Sequence, residues 1–303
     1  MSSTHGSPAK AILYAFLANF GIAVTKSGAA IYTNSGSMLA EAIHSFADCA
    51  NQVLLYVGLK QADDPPTKEH PLGFGKVTYF WSFVVALMLF SVGGLFSIYE
   101  GWHKLHNPEP LNKAWIALTV LAVSILLEAA SLAGCLREIA KIRRGRPFLD
   151  WLRHTRNAEL VVVLGEDIAA LAGLVLAFAF VGLAAKTGDT RFDAIGSILI
   201  GCVLIVVAAF IVVRIRTLLI GKSAEPALRK EIDDLINRDP DIDELLNTIT
   251  LQFGPKVLLA AKVKMRPGLS IEAAVQHINE LERDIKKCCP EVGWCFIEPD
   301  VTD

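Results

Sequence analysis

Six charged side chains stand inside otherwise apolar stretches of this 303-residue chain: Lys26, Glu41, Asp48, Glu128, Glu166 and Asp167. The densest group is Glu41, His44, Asp48, Asn51 and Gln52. Steps of three and four residues keep Glu41, His44, Asp48 and Gln52 on one helix face, with Asn51 at its edge. His44 and Asp48 form an i,i+4 pair with Cβ atoms about 5–6 Å apart, so an imidazole nitrogen and a carboxylate oxygen can bind one divalent ion. Glu166 and Asp167 are neighbours within LVVVLGEDIAALAG. Ionised together in an apolar helix without a counter-charge, they would repel strongly. A divalent cation is the simplest partner. One nitrogen and three carboxylates suit Zn²⁺ and are not hostile to Mn²⁺ or Fe²⁺. The competing reading is a polar seam that hydrogen-bonds neighbouring helices, for which an imidazole and a carboxylate one turn apart are an expensive choice.

The elements that must position these groups follow from composition. Apolar residues make up 53% of the chain and the mean hydropathy is +0.44. Charge is unevenly spread: 33 of the first 220 residues are charged, against 27 of the last 83. That division reads as an apolar membrane domain, residues 1–220, followed by a water-soluble domain, residues 221–303. It excludes a soluble globular enzyme, a disordered tail protein and a basic nucleic-acid binder. A membrane helix needs about 20 mostly apolar residues. Six stretches meet this: Ala11 to Thr33, Ser35 to Leu59, Val77 to Tyr99, Ala114 to Leu136, Leu160 to Ala185 and Ala194 to Val213. Each charge at a helix centre costs about 2.5–3.5 kcal/mol on insertion scales, so six facing lipid would cost about 15–20 kcal/mol. They must face one another, water or a bound ion.

Six spans put both termini on one side. Lys10, Lys60, Lys68, Lys76, Arg137, Lys141, Arg143, Arg144, Arg146, Arg153 and Arg156 fall on that side, against Lys104, Lys113, Lys186 and Arg191 on the other. Eleven against four places both termini in the cytosol or its topological equivalent. The opening MSSTHGSPAK shows neither a transit peptide nor a cleavable signal, and the expected host is a bacterial inner (plasma) membrane. The tail reads as helix Leu228 to Asn237, strands Ile249 to Phe253 and Val257 to Val263 around a Gly254-Pro255 turn, helix Ile271 to Lys287 and strand Trp294 to Ile297. This αββαβ order suits a small two-layer α+β domain. The six cysteines form no dense disulfide framework. Cys288, Cys289 and Cys295 read as small hydrophobes rather than, with His277, as a thiolate site. His70 reads as a turn residue.

Several segments together resemble the cation diffusion facilitator family, in its zinc-transporter-nine-like branch. They are AEAIHSFADCANQ, EHPLGFGKVTYFW, SIYEGWHKLHNPEP, DAIGSILIG and the αββαβ tail. The resemblance covers nearly the whole chain. It implies a homodimer in the lipid bilayer that exchanges cytosolic Zn²⁺, or a similar divalent ion, for protons, with a ferredoxin-like cytosolic domain that dimerises. It places metal ligands on His44, Asp48 and Asp167, and the six-residue step from Asp167 to Gly173 is the family's spacing. The sequence departs at Val163, where the family has a His or Asp ligand. At about 100° per residue, Asp167 lies some 40° to one side of Val163 and Glu166 some 60° to the other. Glu166 is therefore the candidate for the missing oxygen, with a water-completed three-ligand site as the alternative.

Charge then suggests the cycle. A neutral His44 and three carboxylates carry three negative charges, and a divalent ion leaves one. Metal and protons should compete, so rocking of the bundle would couple metal export to inward proton movement without covalent chemistry. Glu41, Lys26 and Glu128 read as proton-relay groups or structural ion-pair partners. Asp193 reads as the N-cap of the sixth helix. The alternative function is a non-transporting membrane metal sensor or scaffold whose site has partly decayed at Val163. An intramembrane metalloenzyme lacks its HExxH helix.

Overall fold

The computed structural model describes residues 8–108, 110–111, 113–143 and 145–302, with the backbone alone for residues 8–18. Arg144, the side chain of Lys10 and the opening MSSTHGS lie outside the described residues. The chain runs α1 (Pro8–Thr33), α2 (Gly36–Ala62), α3 (Val77–Met88), a π-helical segment (Leu89–Leu95), α4 (Phe96–His106), α5 (Ala114–Ile142), α6 (Phe148–His154), α7 (Ala158–Thr187), α8 (Arg191–Ile220), α9 (Pro226–Arg238), β1 (Ile242–Phe253), β2 (Lys256–Met265), α10 (Ile271–Cys288) and β3 (Val292–Pro299).

Among the described residues, four helices are long and apolar enough to cross a membrane: Val77–His106, Ala114–Ile142, Ala158–Thr187 and Arg191–Ile220. Thirty residues at 1.5 Å each give about 45 Å, ample for a hydrocarbon core of about 30 Å. Their outward side chains are apolar, among them Val123, Leu126 and Val206. Helices α1 and α2, of 26 and 27 residues, cover the first two apolar stretches. The polar side chains of α2 set it apart from the apolar four.

The contacts divide the chain into two compact units. The first holds residues up to Gly58, Trp81–Gly145 and Glu159–Arg214. Its helices pack through small residues. A methyl group on Gly101 would lie 2.6 Å from the Ala194 carbonyl, and one on Gly201 would lie 2.6 Å from the Gly94 carbonyl. The Ser197 hydroxyl donates to the Ser97 carbonyl at 2.8 Å, fixing α4 against α8. Just ahead of α4, the π segment contains Gly93 and Gly94, and the Phe96 amide reaches back five residues to the Ser91 carbonyl. Such widened turns occur often at functional sites.

One end of this bundle, here called distal, is marked by a cluster of contacts. Helices α1 and α2 turn at Asn34, whose φ of 59° is left-handed, and the Lys104 ammonium donates to the Asn34 carbonyl. Asp193 is not the N-cap expected of α8; it lies inside that helix and caps a different one. Its carboxylate accepts from the Gly36 amide at 2.6 Å, the Ser37 amide at 3.2 Å and the Ser35 hydroxyl at 2.7 Å. An anion is favoured at a helix N-terminus whoever supplies it, and here the start of α2 receives it from α8. The distal end thus gathers the finish of α1, α4 and α7 and the start of α2, α5 and α8.

The second unit holds Leu59–Phe80, Arg146–Ala158 and Ile215–Asp303. Its sheet has β2 in the middle, antiparallel to β1 and parallel to β3. Helices α9 and α10 cover one face, with Ile232, Ile236, Leu259, Val263, Leu281 and Ile285 in the core. The opposite face carries the cross-strand rows Ile249–Ala260–Phe296 and Leu251–Leu258–Trp294. Ile249 and Phe296 are 61% and 58% exposed there. The connecting segments join this unit closely. Arg156 donates to the carbonyls of Ser223 and Ala224 at 2.8 and 3.2 Å, and Arg146 pairs with Glu225 at 2.9 Å. The Tyr79 hydroxyl donates to the Gly254 carbonyl at 3.1 Å.

Candidate functional site

Helix α2 begins on Ser35, whose hydroxyl accepts from the Met38 amide at 3.1 Å, and on the Asp193 carboxylate. So anchored, it turns Ser45, Asp48, Gln52 and Leu55 onto one side, three and four residues apart. These meet Asn19 and Ile22 of α1, Leu127, Glu128 and Ser131 of α5, and Val163, Glu166, Asp167 and Ala170 of α7 around one cavity of about 150 Å³. One water needs only about 10–15 Å³ on this measure, so the space admits an ion with water around it.

Four carboxylates therefore share one small cavity: Asp48, Glu128, Glu166 and Asp167. Glu166 Oε1 accepts from the Asn51 amide at 2.6 Å. Asp167 Oδ1 accepts from the Ser131 hydroxyl at 3.5 Å. Asp48 Oδ1 and Asp167 Oδ2 are buried with no hydrogen-bond partner. Carboxylates crowded in low dielectric repel one another, and a cation or protons relieve this. The unpaired oxygens are the donor atoms such a cation needs.

His44 is fully buried, with Nε2 3.6 Å from Asp48 Oδ2, and neither ring nitrogen has a hydrogen-bond partner. It does not line the cavity. Gly93 of the π segment packs beside it, a methyl group there lying 3.9 Å from His44 Nδ1. Among the described residues, no three His, Cys, Asp or Glu side chains converge closely enough to hold a metal as placed. The candidate carboxylates Asp48, Glu166 and Asp167 line the cavity wall rather than focusing on one point, and His44 stands behind it. Val163 is on the wall with Glu166 and Asp167, so the turn where the family ligand is missing does face the cavity.

Lys26 and Glu41 do not line the cavity. The Lys26 ammonium lies 3.3 Å from Glu41 Oε2 and donates to the Ser45 hydroxyl at 2.8 Å. Sequence reasoning left Asn19, Ser45 and Ser131 unused and gave Asn51 no partner. A neutral polar side chain adds little to a hydropathy average, and only the helical spacing from Glu128 to Ser131 and from Lys26 to Asn19 pointed to two of them. In the tail, Cys289 and Cys295 are core residues. Burial pushes the Cys289 thiol up to about 11 and the Cys295 thiol up to about 12. His277 instead pairs with Asp241 at 2.9 Å. His70 closes a turn, accepting at its carbonyl from the Gly73 amide at 2.8 Å.

A membrane-length helix bundle with carboxylates from three helices around an internal cavity defines an ion-carrying membrane domain. The family model for the cation efflux transmembrane domain matches residues 12–220, and the chain belongs to that cation diffusion facilitator family. Domains of this family carry ions and are not enzymes. The chain is similar to "Proton-coupled zinc antiporter SLC30A9, mitochondrial" of Xenopus laevis, 32% identical over 278 residues, covering 91% of this chain and 49% of the relative. "Metal tolerance protein C4" of Arabidopsis thaliana is 32% identical over 248 residues, 81% of this chain and 54% of the relative. "Zinc transporter ZitB" of Pectobacterium atrosepticum is 25% identical over 284 residues, 92% of this chain and 82% of the relative. The chain thus spans about half the length of the first two relatives.

Proposed function

We propose that this protein exports a divalent metal cation, Zn²⁺ before Mn²⁺ or Fe²⁺, in exchange for protons by alternating access. The observation that carries the reading is the ring of four carboxylates, two with unpaired buried oxygens, around a cavity inside a cation efflux domain. His44, Asp48 and Asp167 are the proposed metal ligands, and Glu166 supplies the oxygen missing at Val163. The Asn51 hydrogen bond supports this by holding Glu166 on the cavity wall. Glu128 lines the same cavity from α5, a position that suits an acid relaying protons to the ligands. Protons and metal compete for the same oxygens and nitrogen, so a lower pH on the receiving side favours release there.

In this reading α1 and α2 complete a six-helix transport domain, residues 1–220. The tail, residues 221–303, is a cytosolic, ferredoxin-like dimerisation domain. The strand order with β2 central and both helices on one face supports that assignment. Both termini face the cytosol of a bacterial inner membrane, or the equivalent side of another membrane. The names of two relatives, a proton-coupled zinc antiporter and a zinc transporter, support the choice of ion.

The test uses the purified full chain in liposomes with an imposed pH gradient, offered Zn²⁺, Mn²⁺ and Fe²⁺ in turn, with Asp48→Ala as control. Metal flux that carries protons the other way, and vanishes in the control, is the expected result. Metal binding without flux of any ion would favour the sensor or scaffold.

A further inference from the structure

Apart from Asp193 at the distal end, the charges inside the bundle fall into two layers, and metal binding accounts for only one. The cavity carboxylates form the first. The second is Lys26 and Glu41, 1% and 0% exposed and paired at 3.3 Å. Glu41 also lies hard against α7, where a methyl group on Gly173 would collide with Glu41 Oε1. Three helices thus meet at one ion pair: α1 through Lys26, α2 through Glu41 and α7 through Gly173.

The order along each helix locates this layer. On α1 the wall residues Asn19 and Ile22 come before Lys26. On α2 the wall runs from Leu55 back to Ser45, and Glu41 lies beyond. On α7 it runs from Val163 to Ala170, and Gly173 follows. In all three the step from wall to ion pair heads for the distal end. Asp48 to Glu41 is seven residues, about 10 Å, and Asp167 to Gly173 is six, about 9 Å. The two helices agree on the spacing. The ion pair is therefore a floor between the cavity and the distal end, and Ser45 belongs to both the wall and the floor.

Resting on the proposed transport reading, we propose that Lys26 and Glu41 form the distal gate: paired, as here, they close the path, and they part when the metal leaves toward that end. A buried ion pair is a poor source of stability but a good two-state element, because its partners have defined alternatives. Lys26 has one in hand, since it already donates to Ser45. Gly173 is the seat of the closed gate, because a side chain at that position would push the Glu41 carboxylate out of its present place.

The test uses the full chain in liposomes carrying a pH-sensitive dye, with Zn²⁺ affinity measured calorimetrically in detergent. Lys26→Met, Glu41→Gln and Gly173→Ala should each leave Zn²⁺ affinity within about twofold of the parent while raising the metal-free proton leak about tenfold, as expected when a minor open state becomes common. The charge swap K26E/E41K should bring the leak back to the parent level. Folded single variants with parental leak overturn the gate. So does a tenfold loss of affinity in place of leak, which would assign the pair to the metal site. A swap that leaks as the single variants do, or fails to fold, also overturns it. A parent chain that moves no metal would refute the transport reading, whereas the leak comparison reports on the gate alone.

Discussion

Asp48 and Asp167 each bring a buried oxygen without a partner to the same cavity, and the role of each nearby group can be tested against theirs. Asp48→Ala and Asp167→Ala should abolish Zn²⁺ binding measured by calorimetry. Glu166→Ala should weaken it at least about tenfold, since removing a group that merely supports a metal ligand already costs about 10–100-fold; unchanged binding would leave a three-ligand site completed by water. Asn51→Leu should cost less, because it removes only the amide that holds Glu166. In the tail, Cys288 should react with iodoacetamide at pH 8 while Cys289 and Cys295 resist until the protein unfolds. Their folded pKa values lie above the ordinary 9.0, so the unfolded chain ionises first and tail stability falls as pH rises from about 9 toward 11–12. The charged residues of the cavity wall were legible in the sequence because an ionised group in an apolar helix is costly and needs a reason. The hydrogen bonds from Asn51 to Glu166 and from Ser131 to Asp167 were not, because they depend on which helices are neighbours.

At the scale of elements, two junctions hold the bundle in register. The carboxylate of Asp193 serves α2 from α8, and Asp193→Ala leaves the Gly36 and Ser37 amides without it. The expected loss is about 1–3 kcal/mol, read as a lowered melting temperature in detergent, with Asp193→Asn intermediate. The second junction is the glycine contact of the third span with α8. Gly201→Val should destabilise by about 1–3 kcal/mol or more, because the obstruction is the Gly94 backbone rather than a side chain that can move. Hydropathy made the long helices readable in the sequence. It did not reveal the π segment, since one extra residue per turn leaves composition unchanged. The start of β1 at Ile242 rather than Ile249 was hidden by register shifts between Ile242 and Glu244 and between Leu245 and Asn247, which break the alternation that marks a strand. Asp193 was read as capping its own helix because sequence shows only local neighbours.

For the whole molecule, the proposal of a dimer meets an observation on the tail: the sheet face opposite its helices presents Ile249 and Phe296 to the outside. Light scattering of the purified protein, corrected for detergent, should give twice the 32.9 kDa of one chain. Phe296→Asp should shift it toward one chain without lowering the melting temperature of the tail. The division into an apolar first part and a charged last part was legible from composition alone. That the α2–α3 connection and the segment around α6 belong with the tail was not, because their ties are single contacts such as Arg156 on Ser223 and Tyr79 on Gly254.

The tight turn at Asn34 has a consequence for biosynthesis. On the proposed topology, α2 is too polar to enter the bilayer readily alone, and Glu41 and Lys26 are the charges nearest the α1–α2 turn. Because that turn is so short, the two side chains meet as soon as the second helix forms. Each then neutralises the other before any later helix has been made. The first two helices can therefore leave the translocon as one hairpin, and a longer linker at Asn34 should lower membrane insertion of the nascent chain before it affects anything the finished protein does.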